Sequence, residues 1–233
     1  MPVDQQPAYI LHARAYRETS LLIEAFTRDH GRIGLVARGV RRERSRLPRG
    51  VLQPFQPLLL GWVARGELGT LTGAEMAGSP LALAGDVLLS AIYVNELVLR
   101  LSGRNDAHSN AFAAYALCLA RLADEPAAAW TLRRFERDFL ADLGYALALD
   151  CTADGQPVRA EADYGYDPDA GPVAWRDGMR WTRVQGGALL ALAHDEKPAL
   201  EQLAQLRRIV RAVVRHLLGG DLNAWSMAVR AKP

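Results

Sequence analysis

The chain contains 233 residues, of which 50% are hydrophobic and 23% are charged, and its formal net charge at pH 7 is +2. This composition is typical of an ordinary soluble globular protein, and it excludes intrinsic disorder and collagen-like structure. Cys118 and Cys151 are the only cysteines, which excludes a disulfide scaffold and is typical of a reducing compartment. The amino terminus lacks the basic and apolar regions of a signal peptide, and charged residues interrupt the most apolar stretch, 81–101. We therefore expect a cytoplasmic protein that does not enter the membrane.

The first eighty residues have the alternating pattern and turn residues of β-structure. Pro54 and Pro57 predict that the fourth strand is an edge strand or a bulged strand, because proline cannot donate to a ladder. Five short strands in about 75 residues favour a small barrel, and the OB-fold has this strand number and binds single-stranded nucleic acid. The predicted strands cover residues 8–14, 19–27, 32–37, 51–62 and 66–75.

From residue 81 the apolar residues follow a helical period instead. One predicted helix begins near Pro126 and ends before Gly144, and another runs from about residue 198 to residue 218. Residues 150–185 are rich in Asp, Gly and Pro, contain Trp175 and Trp181, and are predicted to form an irregular insert. We expect an α+β protein with an OB-fold domain at residues 1–80 and an α-helical domain at residues 81–233.

Positive charge is concentrated in one segment of the predicted barrel. Between Arg28 and Arg49 there are eight arginines and only two acidic residues, Asp29 and Glu43. Such a cluster attracts a polyanion through counterion release, although a solvated basic loop is the alternative interpretation. We expect the stretch from Arg38 to Arg49 to be the main nucleic-acid contact.

Residue patterns typical of enzymes are missing from the sequence. None of the five histidines stands at metal-ligand spacing, and no Walker A motif or Gly-x-Ser-x-Gly motif occurs. We therefore predict a protein that is not an enzyme and that holds no metal or cofactor. A phosphodiester-processing enzyme is an alternative only with an unusual active site.

A series of short segments occurs in an order and spacing that match a known family. In the barrel half they include Leu11-His12-Ala13-Arg14, Leu35-Val36-Ala37-Arg38-Gly39 and Gly66-Glu67-Leu68-Gly69. In the helical half they include Tyr93-Val94-Asn95-Glu96-Leu97 and Leu132-Arg133-Arg134-Phe135-Glu136. This series resembles the RecO family of bacterial recombination mediators, most clearly over residues 8–150.

The resemblance implies an OB-fold followed by a helical bundle. It implies binding of single- and double-stranded DNA, annealing of complementary strands, and cooperation with RecR in loading RecA onto DNA coated by single-stranded DNA-binding protein (SSB). Some members carry a four-cysteine zinc module in the helical half, where this chain has only Cys151, so we predict no zinc. The residues after Gly220 also depart from the family pattern, which leaves their role open.

Three groups of arginines are candidate binding residues. The resemblance implies that the acidic SSB tail binds at Arg133 and Arg134; ordinary helix-surface charges, with Arg134 paired to Asp138, are the alternative. A basic stripe near the carboxyl terminus is either a second DNA path or a solvated face, and it consists of Arg207, Arg208, Arg211 and Arg215. The candidate DNA-binding residues of the barrel are Arg14, Arg32, Arg38, Arg41, Arg42, Arg44, Arg46 and Arg49.

Two further alternatives concern the barrel and the function. Aromatic residues of the barrel are either stacking platforms for bases or ordinary core, and these are Tyr9, Phe26, Phe55 and Trp62. The alternative function is a protein-interaction scaffold with little intrinsic DNA binding. We expect a location in the cytoplasm with the nucleoid.

Overall fold

In the computed structural model, which describes residues 2–42, 47, 50–124 and 128–230, the chain begins with a closed five-stranded barrel. The order around the barrel is β1-β2-β3-β5-β4, and β4 pairs with β1 to close it. β3 and β5 are parallel, and the other neighbours are antiparallel. The predicted five-stranded OB-fold-type barrel is confirmed. Its strands are β1 (Pro2–Tyr16), β2 (Ser20–Thr27), β3 (Gly31–Ala37), β4 (Leu58–Arg65) and β5 (Leu68–Met76).

The barrel interior is filled by alternate apolar residues from its strands. Ile10, Ile23, Leu35 and Leu60 belong to this core and have no exposed surface. Alternation places every second side chain inside the barrel, and burial of each large aliphatic side chain contributes about 1.5–3 kcal/mol. The alternation of apolar and polar residues in the first eighty residues therefore arises because each strand has one face toward the barrel interior and one face toward the outside.

The fourth strand differs from its prediction. Pro54 and Pro57 lie before β4, which begins at Leu58 and pairs with β1 on one side and β5 on the other. The prediction was wrong in placing both prolines inside the strand and in its edge-strand alternative, whereas its bulged-strand alternative agrees with the register shift between Gly61 and Trp62 in the pairing of β4 with β5. The chain places both residues ahead of the ladder, where their lack of an N–H group costs no strand hydrogen bond.

Two helices pack against the outer surface of the barrel. They are α1 (Gly85–Leu101) and α2 (Ser109–Asp124). Tyr9 and Phe26 are neighbours across β1 and β2, and both contact Phe112 and Tyr115 of α2, with ring centroids 5.1–5.7 Å apart. The aromatic cluster is thus a contact between the barrel and α2.

A buried hydrogen-bond chain joins β1, α1 and α2. The Tyr115 hydroxyl donates to Asn95 Oδ1 (2.6 Å), and Asn95 Nδ2 donates to the Leu11 carbonyl oxygen (2.9 Å). Burial raises the pKa of Tyr115 well above its usual value, so the hydroxyl stays protonated and donates. These polar groups are buried at little cost because each one has a partner.

The later elements belong to a second unit, except for the last helix, which returns to the first. The contacts divide the chain into a first unit, Met1–Pro126 with Asn223–Pro233, and a second unit, Ala127–Leu222. The first unit thus includes α1 and α2 with the barrel, and the predicted division at residue 80 stays a prediction. The later elements are α3 (Ala128–Asp142), β6 (Asp163–Asp167), β7 (Gly171–Ala174), β8 (Thr182–Gln185), α4 (Gly186–Ala193), α5 (Leu200–Leu218) and α6 (Asn223–Arg230).

The second unit contains a small sheet that the sequence analysis missed. Its order is β7-β6-β8, and both pairings are antiparallel. Tyr164, Tyr166 and Val184 are buried on one face. The prediction of an irregular insert at residues 150–185 was wrong here, because strands of four or five residues separated by turns carry too short an alternation to stand out.

Glycines lie at the ends of two helices, and the one at Gly144 was predicted. Gly144 has a φ of 85°, and the following Tyr145 N–H donates to the Leu140 carbonyl oxygen (2.8 Å). Gly219 has a φ of 65° at the end of α5. Such left-handed residues satisfy the last carbonyl groups of a helix. Among the residues that the structure describes, no helix combines the length and apolar character needed to cross a bilayer.

Candidate nucleic-acid interface

An open cavity of about 700 Å³ lies at one end of the barrel, where the β1–β2 turn approaches the segment after β3. Three arginines and one acidic residue line it, so the charge of its wall is positive. The lining residues are Tyr16, Arg17, Glu18, Thr19, Ser20, Val36, Arg38, Gly39 and Arg42.

The backbone holds the two sides of this cavity together. The Arg41 N–H donates to the Thr19 carbonyl oxygen (3.0 Å), and the Arg42 N–H donates to the Gly39 carbonyl oxygen (3.0 Å). Gly39 has a φ of 66°, a left-handed conformation that favours glycine and turns the chain after β3. The arginines after β3 therefore start from a defined turn next to the β1–β2 hairpin.

Five arginines at this end of the barrel form a surface that we call the arginine rim: Arg14, Arg17, Arg38, Arg41 and Arg42. All five are exposed, and within residues 2–42, 47, 50–124 and 128–230 the structure pairs none of them with a carboxylate. Sequence reasoning missed Arg17, which lies in the β1–β2 turn. Its position between two predicted strands could have indicated that it lies at the same end of the barrel. The Arg17 guanidinium lies 5.3 Å from the Tyr16 ring centroid. A set of exposed cations around a concave surface is suited to a polyanion.

Three other predicted DNA-binding residues cannot be placed on this surface. Arg44, Arg46 and Arg49 lie outside the described residues, so their assignment stays a prediction. Of the stretch from Arg38 to Arg49, the rim therefore includes Arg38, Arg41 and Arg42.

Arg32 is engaged inside the first unit. Its Nη1 forms an ion pair with Glu24 (3.1 Å), and its Nε and Nη2 donate to the Ser102 carbonyl oxygen at 3.2 and 3.1 Å. Glu24 also pairs with Arg104. Because these contacts use donors on all three guanidinium nitrogens, the geometry argues against Arg32 as a DNA contact, and we leave it out of the proposed surface.

The aromatic residues of the barrel are mostly internal. Tyr9, Phe26 and Trp62 are at most 8% exposed, and Phe55 is half-buried in the segment before β4. Burial of the first three favours the core interpretation over the stacking interpretation for them. The arginine rim therefore provides positive charges for a ligand and includes none of these four aromatic residues.

The two adjacent arginines of α3 have different environments. Arg133 is 5% exposed and forms an ion pair with the fully buried Glu136. Arg134 is half-buried and donates to Asp195 (2.6 Å), and its guanidinium lies 5.9 Å from the Trp130 ring centroid. The alternative pairing of Arg134 with Asp138 is not observed, since Arg137 pairs with Asp138 (2.7 Å). Of the two, only Arg134 has exposed surface to offer to an acidic tail.

The basic stripe lies on α5 in the second unit. Arg207 and Arg208 are exposed, Arg211 is half-buried, and Arg215 is exposed and pairs with Asp221 (2.6 Å). The stripe is thus a real helix face with its charge partly balanced at the carboxyl end. Among the described residues, no group of three or more His, Cys, Asp or Glu side chains is arranged to hold a metal ion.

Family models cover the chain in two parts. The model described as recombination protein O N terminal matches residues 1–80, and the model described as recombination protein O C terminal matches residues 83–226. The chain belongs to the RecO family. The predicted resemblance is confirmed, and membership places the chain among proteins of DNA repair and recombination.

Several curated relatives match this RecO-family chain over 97% or more of its length. A DNA repair protein RecO from Stenotrophomonas maltophilia (strain K279a) is 44% identical, and the match covers 100% of this chain and 99% of the relative. The RecO protein of Xanthomonas oryzae pv. oryzae (strain PXO99A) is 43% identical over 97% of each chain. That of Ralstonia nicotianae is 44% identical over 97% of this chain and 84% of the relative.

Proposed function

We propose that this RecO-family chain is a recombination mediator that binds single- and double-stranded DNA, anneals complementary strands and acts with RecR to promote RecA loading onto SSB-coated DNA. The arginine rim carries the proposal. Three of its exposed arginines, Arg17, Arg38 and Arg42, line a cavity of an OB-fold-type barrel, an architecture used for single-stranded nucleic acid. The protein would act in the cytoplasm with the nucleoid.

The proposed mechanism requires no bond-making by the protein. Two DNA strands repel each other through their phosphates, and a cationic surface that contacts both backbones lowers the free energy of their encounter. Contacts to phosphate leave the base edges free to pair. Annealing in this scheme depends on the density and exposure of positive charge, which the rim supplies, and not on a nucleophile or a general base.

The SSB tail is the second proposed contact, and we assign it to Arg134. A tail carboxylate would compete with Asp195 for the guanidinium, in a charge-assisted pair beside the Trp130 ring. We leave Arg133 out of this contact surface because its guanidinium is buried in an ion pair with Glu136. RecR and RecA are partners that the family proposal implies.

The test of DNA contact removes three rim charges together. In the variant Arg38→Gln/Arg41→Gln/Arg42→Gln we expect weaker binding of single-stranded DNA, measured by fluorescence anisotropy at several salt concentrations. The log-log salt slope should fall by about 0.7 for each phosphate of the single strand that the variant no longer neutralises. The matched control, Arg28→Gln/Arg100→Gln/Arg159→Gln, removes the same charge from exposed positions elsewhere and should leave both quantities near those of the parent.

Two outcomes contradict parts of this proposal. If the rim variant and the control behave alike, the rim is not the contact surface. If the parent protein binds no oligonucleotide even at low salt, the scaffold alternative replaces the mediator proposal. Annealing of SSB-coated complementary strands by the parent and the rim variant then tests DNA contact and coat-protein contact in one assay.

A further inference from the structure

A second aromatic and cationic surface lies on the outer face of the β7-β6-β8 sheet. Gly165 is at the centre of this face, paired with Val173 on β7 and Arg183 on β8. A Cβ added at Gly165 would lie 3.1 Å from Met179 Sδ and 3.5 Å from the Trp181 side chain. The missing side chain therefore lets Met179 and Trp181 pack directly on the sheet.

Two tryptophans of this face carry arginines over their rings. The Arg180 guanidinium lies 5.6 Å from the Trp181 ring centroid, and the Arg183 guanidinium lies 5.5 Å from the Trp175 ring centroid. Both rings are partly exposed. The other three tryptophans, Trp62, Trp130 and Trp225, are at most 8% exposed. Partly exposed tryptophan in this chain is thus confined to one short segment between β7 and β8.

The surface continues onto α5 through a cavity of about 410 Å³. Arg183 and Arg208 both line this cavity, together with Asp163, Gln185, Glu201 and Gln205. We call the set Trp175, Arg180, Trp181, Arg183 and Arg208 the tryptophan strip. It joins the outer face of the sheet to the first part of the basic stripe, and all of it lies in the second unit.

We propose that the tryptophan strip binds a segment of single-stranded DNA by stacking its bases on the Trp–Arg pairs. A base can stack on the plane of a guanidinium, or replace it on the indole ring while the guanidinium turns to a phosphate. This site rests on the proposed DNA-binding function and adds to the rim a surface of different chemistry.

The charge of the strip favours a single strand over a duplex. Asp163 pairs with Arg183 (2.5 Å), and Asp177 accepts a hydrogen bond from Trp175 Nε1 (3.3 Å). Because these acidic groups offset the charge of the arginines, the strip has little net positive charge. Its electrostatic attraction to the two phosphate backbones of a duplex is therefore weak. Its attraction is stacking, which requires unpaired bases whose faces a duplex does not present.

The test compares single and double strands of equal length. In the variant Trp175→Leu/Trp181→Leu, which keeps apolar side chains over Gly165, we expect about tenfold weaker binding of an oligo-dT single strand. Duplex affinity and the salt slope should match the parent. Tyr145→Leu is the control, because Tyr145 is a 47% exposed aromatic residue of the same unit outside the strip.

A second variant covers the case in which the double tryptophan variant does not fold. Arg180→Gln removes a cation from the face of Trp181 without removing a ring, and thermal unfolding followed by circular dichroism reports its integrity. It should weaken single-strand binding and reduce the quenching of tryptophan fluorescence that oligo-dT produces in the parent.

The outcomes separate this proposal from the function on which it rests. A parent protein that binds no DNA overturns both. If single-strand affinity falls in the rim variant but is kept in the folded strip variants, the strip alone is overturned. Equal losses of single-strand and duplex affinity in the strip variants also overturn it, because stacking on unpaired bases would not produce them.

Discussion

Arg133 and Arg134 are consecutive in the chain, and the helix turns them toward different surroundings. Successive helical residues are separated by about 100° around the axis, so two neighbours in the chain can face different surroundings. Arg133 is buried with Glu136, and Arg134 reaches Asp195. The sequence resemblance assigned both residues to the predicted SSB-tail site because they are adjacent in the matching segment. The packing of α3 instead gives Arg133 a role in stability.

We expect Arg133→Ala to lower the free energy of unfolding of the second unit by about 3–5 kcal/mol, because it leaves the buried Glu136 carboxylate without its arginine. Arg134→Ala should cost less than about 1 kcal/mol, as for a partly exposed ion pair, and should weaken binding of an SSB tail peptide. Urea unfolding and fluorescence anisotropy measure the two effects. The reverse assignment would be supported if Arg133→Ala stayed as stable as the parent and no longer bound the peptide.

At the scale of elements, one carboxylate on α1 holds the start of α6. Glu96 Oε1 accepts from the Asn223 N–H (2.8 Å) and from Asn223 Nδ2 (3.0 Å), and Oε2 accepts from the Ala224 N–H (2.7 Å). The first N–H groups of a helix have no partner within it, and an anion there also interacts favourably with the helix dipole. Ala224 and Trp225 are buried behind this contact. The residues after Gly220, whose role the sequence left open, thus complete the first unit.

We expect Glu96→Ala to lower the free energy of unfolding by about 1–3 kcal/mol and to release α6, because it leaves the helix start without its acceptor. Hydrogen exchange should become faster at the amides of residues 223–227. Glu75→Ala, at an exposed position of β5, is the control and should change neither quantity. Unchanged protection of α6 in Glu96→Ala would show that the helix is held by its apolar contacts alone.

For the whole molecule, the barrel was predictable because its interior requires a period of two in every strand. The boundaries were less predictable, since β4 begins where its partners β1 and β5 meet it and not where its apolar residues begin. Of the proposed rim, Arg38, Arg41 and Arg42 were candidates from the local charge and Arg14 was also a candidate, and their contact with DNA stays a prediction. The engagement of Arg32 with Ser102 was not, because its partner is seventy residues away in the chain.

The two units should differ in their ability to fold alone. The second unit is one continuous segment, and we expect a fragment of residues 127–222 to unfold in a single cooperative transition. A fragment of residues 1–126 lacks α6 and exposes the face of α1 that α6 covers, so it should be less stable or aggregate. Thermal unfolding and size-exclusion chromatography of both fragments test this, and a monomeric 1–126 fragment with the full stability of the first unit would contradict it.

The return of the chain to the first unit has a consequence for synthesis on the ribosome. The barrel strands emerge first and can close, yet α1 stays uncovered until α6, which follows the whole second unit in the chain, has been synthesised. During that interval the whole second unit is translated and can fold, since domains generally fold as units during synthesis. The first unit therefore reaches its complete form only after the second unit has been translated, and a chain that lacks α6 leaves one face of α1 without its cover.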